Sequence, residues 1–175
     1  GQGVAVRRDG RTELEVGAAE VSGARAAIEG RRAELSSDRV ALDDLRATSL
    51  SARRIEAQDA GASVGDDRLG VRLGAASGAE VTLADRARIE QASVRGVRSE
   101  LTEAGRISTV DHAALLGVRD SATGASMRAA EVEGVRVASG ETGTSSRLAR
   151  ARVEGVRAGE ASVGAAEVHG ATVDS

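Results

Sequence analysis

The sequence predicts an all-β fold: a parallel β-solenoid, square in section, of about nine coils in one domain over residues 1–175. Three observations predict it. Small and apolar residues recur every five positions, proline is absent, and no stretch carries clean helical spacing. The most helix-like segment, 36–58, has its larger residues at Val40, Leu45, Leu50 and Ile55. A step of five carries such residues round an α-helix instead of along one stripe.

The columns run along the chain in order. Val16, Val21 and Ala26 open the pattern. Leu35, Val40, Leu45, Leu50, Ile55 and Ala60 follow, with Leu42, Ala47, Ala52, Ala57 and Ala62 two places after the centre. From Val64 the centres are Leu69, Gly74, Ala79, Ala84, Ile89, Val94, Ser99, Ala104, Thr109 and Ala114. Their companions two residues earlier are clean from Ser77 to Ile107 and place His112 in the same column. Ala122, Met127, Val132 and Val137 make a short run. The last run is Leu148, Val153, Ala158, Val163, Val168 and Val173, with companions from Ser146 to Ala171. The phase slips near 27–34, 61–63, 115–121 and 143–145, which in a solenoid become bulges, loops or tolerated slips.

A period of five with two inward positions makes one side of a square, the chain turning a right angle between units. Stacked coils then lie about 4.8 Å apart, and a rod of nine is roughly 40 Å long. Proline deletes a ladder donor, so its absence fits a backbone paired almost throughout.

Composition excludes several functions. There is no cysteine, hence no disulfide and no thiolate site, and no aromatic residue on which bases could stack. Arg supplies all 24 basic residues against 27 acidic ones, for a net charge of −3. That balance is neither a nucleic-acid-binding excess nor an acidic tail. No apolar run is long enough for a membrane span. The start, Gly1-Gln2-Gly3, has no apolar signal region and reads as a trimmed terminus. His112 falls in an inward column and His169 in an outward one, so they are expected not to share a site. Asp43-Asp44 and Asp66-Asp67 are neighbours along strands and point to opposite sides, so neither makes an acid–base couple. No catalytic constellation emerges, and no cofactor or metal site is expected.

The units AEVSG (19–23), ASVRG (92–96), AEVEG (130–134), ARVEG (151–155) and AEVHG (166–170) resemble the pentapeptide-repeat family. The resemblance implies a right-handed quadrilateral β-helix. The family's central Leu or Phe is often Val or Ala here, and its second-position Asp or Asn is mostly Arg, Ser or Glu. Some members of that family imitate duplex DNA and bind DNA gyrase, a type II topoisomerase, conferring fluoroquinolone resistance. The resemblance therefore implies a non-enzymatic, cytoplasmic protein-binding module, with Asp43, Asp44, Asp66 and Asp67 as candidate partner-binding residues. Alternatives are a self-assembling structural solenoid or spike segment, and an engineered repeat scaffold. The sequence stops inside a unit at Val173-Asp174-Ser175, so a homo-oligomer joined through a coil end is expected.

Overall fold

A computed structural model describes residues 4–8, 11–141 and 143–174, with side chains from residue 15 onward. Gly1–Gly3 and Ser175, which entered the sequence reading, lie outside the described residues. The fold is all-β, as expected. Eleven strands follow one another: β1 (Val4–Arg8), β2 (Arg11–Ser22), β3 (Arg25–Glu29), β4 (Arg32–Ala47), β5 (Leu50–Gly65), β6 (Arg68–Leu83), β7 (Ala87–Thr102), β8 (Gly105–Asp120), β9 (Ser126–Gly140), β10 (Gly143–Ala158) and β11 (Ala161–Asp174). Among the described residues there is no helix, and so none long and apolar enough to cross a membrane.

The strands form one open sheet in the order β1-β2-β4-β5-β6-β7-β8-β9-β10-β11, with β3 beside β4. β2 and β3 are one arm interrupted at Gly23 and Ala24, since Ser22↔Arg39 and Arg25↔Ser36 keep the same register on β4. Every pairing is antiparallel, where the sequence reading expected stacked parallel coils. The local reason is turn length. Thr48-Ser49, Asp66-Asp67, Glu103-Ala104 and Gly159-Glu160 each bridge consecutive strands with two residues. Two residues suffice for a hairpin, whereas a parallel return needs a long crossover.

The five-residue period is nevertheless real, and it has a geometric cause. Away from the hairpin turns and the strand starts, nine residues have positive φ: Gly23, Asp44, Asp59, Glu80, Gly96, Gly117, Gly134, Gly155 and Gly170. Register gathers them into two lateral rows. One holds Gly23, Asp59, Gly96, Gly134 and Gly170, on alternate arms; the other holds Asp44, Glu80, Gly117 and Gly155, on the arms between. A left-handed residue within a strand breaks the simple in-out alternation. Side chains three apart then share a face: Ala52 with Ile55, Ile89 with Ala92, and Leu115 with Val118 belong to one cluster across the second row. The better covered side chains of β7 are Ala87, Ile89, Ala92, Val94, Val97, Ser99 and Thr102, at alternating steps of two and three. Two plus three is five. Each arm is thus three short flats separated by two corners, after which the chain turns and comes back.

Within β4, β5, β7, β10 and β11 the apolar columns read from the sequence are the residues on this inner face. The turn at Glu103-Ala104 resets the phase. Thr109 and Ala114 therefore leave the inner rows, and Ser108, Val110, Ala113 and Leu115 take them. Three of the phase slips mark hairpins: 27–34 contains the β3–β4 turn, 115–121 reaches the β8–β9 turn, and 143–145 follows the β9–β10 turn.

The core is thin. Ala52 (4% exposed), Val81 (7%) and Ile89 (5%) pack against Leu50, Ile55, Ala92, Leu115 and Val118. At the end of the sheet beside this core, neighbouring turns are stitched together. The Ala84 N–H donates to the Ser49 carbonyl (2.7 Å), and the Ser121 N–H donates to the Arg86 carbonyl (3.0 Å). The Arg86 guanidinium bonds both oxygens of Asp120 (2.9 and 2.8 Å).

Candidate functional site

The inner face is a set of lateral apolar rows running across the whole sheet. Register lines up Val16, Leu45, Ala52, Val81, Ile89, Val118, Met127, Val156 and Val163 beside one corner row. Between the corners run Val21, Val40, Ala57, Ala76, Val94, Ala113, Val132, Ala151 and Val168. A residue in such a row meets its lateral neighbours about 5 Å away and, beside a corner, side chains of the adjoining flat, but no second sheet lies above it. Six hydrophobic residues are buried among those described, while Val21, Ile28, Leu35, Val64, Val71 and Val173 stay exposed. Val173 on β11 is 66% exposed, and β11 pairs only with β10 among the described residues.

The outer face carries the charges, and their signs are interleaved. Arg54 bonds Glu56 (2.7 Å) and lies 3.6 Å from Asp43, while Arg39 meets Glu56 at 3.3 Å. The hydrogen bond from Arg54, aided by Arg39, holds the Glu56 carboxyl below its ordinary range. Arg150 bonds Glu167, and Arg152 bonds Glu154 at 2.6 Å. Arg150 likewise holds the Glu167 carboxyl low. Asp120 is lower still, first through Arg86 and then through the Ala122 N–H.

The four acidic residues singled out from the sequence do not converge. Asp43 is paired with Arg54 across β4 and β5, and Asp44 occupies a corner with φ 52°. Asp66 and Asp67 form the β5–β6 turn, most of an arm's length away, with Asp66 3.6 Å from Arg31. The phase reset also moves His112. It lies opposite Arg95 and Glu133, in the outer row that continues through Arg150 to His169. The two histidines thus share a face after all, three strands or about 14 Å apart. His112 Nε2 is 2.7 Å from Glu131 Oε1.

Sequence reading places Gly155 and Gly170 at corners, where positive φ suits a unit-end glycine, and misses the other corners. Asp59, Glu80 and Asp44 carry no compositional mark of a left-handed conformation, but the glycines do. Each of the five pentapeptide-like units ends on a corner glycine, at Gly23, Gly96, Gly134, Gly155 and Gly170. Along the row from Gly23 through Gly96 and Gly134 to Gly170 the spacings follow arm length, not multiples of five. Comparison with family models, curated proteins and solved structures finds no match.

Proposed function

We propose that this chain is a non-enzymatic structural module that works by self-assembly, its apolar inner face covered by the same face of a second copy. Surface area carries the reading. A compact monomer of 17.7 kDa exposes about 7,900 Å². This chain exposes 12,086 Å². The excess is about 4,000 Å² per chain; covering half of it on each of two copies would bury about 4,000 Å² in total, within the range that obligate dimers bury between them. Self-pairing also suits the composition of the face: rows of Val and Ala are flat and small, and a second layer packs on such rows about 10 Å away. A topoisomerase-binding DNA mimic needs one continuous acidic face, and the interleaved ion pairs favour assembly over that reading. A cytoplasmic setting belongs to the same proposal, since a chain without cysteine draws nothing from an oxidising compartment.

Light scattering after size separation tests it. The expected mass is twice that of one chain or more. Val94→Asp, which puts a charge in the middle of the inner face, shifts the protein to a single-chain mass or to unfolded chain. A single-chain mass for the unaltered protein at high concentration would sink the proposal.

A further inference from the structure

We propose that His112, Glu131 and Glu133 form a binding site for a divalent transition cation of the Zn²⁺ class on the outer face, away from the proposed assembly surface. One ligand atom from each lies within 4.8 Å of the other two. The geometry follows from the ladder. His112 on β8 sits directly opposite Glu133 on β9, and Glu131 is two residues along β9, on the same side. Three donors thus converge from two adjacent strands held by backbone hydrogen bonds, leaving the solvent side open for water.

Neighbouring cations are engaged elsewhere. Arg150 bonds Glu167 and reaches Glu133 only at 4.0 Å; Arg152 bonds Glu154 at 2.6 Å. Glu131 has His112 as its bonded partner, and that hydrogen bond keeps the carboxyl ionised below its ordinary range. Two carboxylates then balance a divalent charge, against which Arg95, the cross-strand neighbour of His112, works from the other side.

The imidazole presents Nε2 to the cluster. His112 Nδ1 is buried and has no hydrogen-bond partner. In the neutral ring, metal binding moves the proton from Nε2 to Nδ1 and replaces the Nε2–H···Glu131 bond by an Nε2–metal bond. Nδ1 then carries a buried N–H without an acceptor, a cost that the Nε2–metal bond has to exceed. Imidazole with two carboxylates suits Zn²⁺, Co²⁺ or Mn²⁺, whereas Mg²⁺ and Ca²⁺ prefer all-oxygen shells.

Titration calorimetry with ZnCl₂ and with CoCl₂ at neutral pH tests the site on the whole chain, with the Co²⁺ visible spectrum as a second readout. One ion per chain is expected, with Co²⁺ bands of a nitrogen–oxygen site and no heat with MgCl₂. His112→Ala and Glu131→Gln should each weaken binding by more than about tenfold. His169→Ala, on the same face but outside the cluster, should leave it unchanged. Absence of Zn²⁺ binding to the unaltered chain, or binding that survives His112→Ala and is lost in His169→Ala, overturns the proposal.

Discussion

At Gly96 the corner leaves no room for a side chain. Its φ is +64°, and an added Cβ would lie 1.9 Å from Asp111 Oδ2 and 2.8 Å from Asp111 Cβ. Rotating the carboxylate relieves the first clash but not the second. Gly96→Ala should therefore cost about 3–4 kcal/mol in urea unfolding, the left-handed strain plus the displaced backbone. Gly124→Ala separates the two terms. That residue has a similar φ, +69°, with open space around it, so about 1–2 kcal/mol is expected. Asp120 makes the pH argument at the same scale. Its carboxyl accepts hydrogen bonds from Arg86, the Ala122 N–H and Thr123, and is held below the ordinary aspartate value. A depressed carboxyl contributes stability that is present above the unfolded-state value and lost as pH falls through the folded one. The urea midpoint of the unaltered protein should thus fall below about pH 4. Asp120→Asn should start lower and fall less over that interval, and equal slopes for the two proteins would contradict the assignment.

At the scale of the element, an arm tolerates changes of length only at its ends. One residue inserted between Ala92 and Ser93 moves Val94, Val97 and Ser99 off their lateral partners Ala113, Val110 and Ser108. Loss of cooperative unfolding, read by circular dichroism against urea, is the expected result. One glycine inserted between Asp66 and Asp67 lengthens a turn and should leave the transition cooperative. The arm is also where the sequence was most legible. In β10 and β11 the inward residues, from Ser146 and Leu148 through Ala171 and Val173, are the columns that periodicity marks, because two inward residues per corner is a local rule of the backbone. Chain direction was not legible. A period of five states how often the backbone bends, and the same two apolar positions serve four sides of a closed coil or three sides of an arm that returns. The difference lay in pairs such as Glu103-Ala104, which resemble any other step of the repeat. His112 shows the consequence, since one unmarked turn moved it from the inner rows to the outer face.

At the scale of the whole molecule, each arm touches only the arms beside it, so the sheet is a one-dimensional array with no second layer of its own. Corners set its section, hairpins set its length, and the exposed rows of Val and Ala set the need for a covering copy. Both the assembly and the cation site presuppose that strands return antiparallel. The chain has no cysteine, so paired substitutions report strand direction without interference. Ser99 and Ser108 face each other across β7 and β8 with their hydroxyl oxygens 2.9 Å apart. In a stacked coil of about 20 residues, Ser99 would instead neighbour Arg119. Mild oxidation of Ser99→Cys/Ser108→Cys should give a complete intrachain disulfide by mass spectrometry, and Ser99→Cys/Arg119→Cys none. The reverse pattern would contradict the antiparallel sheet and everything built on it.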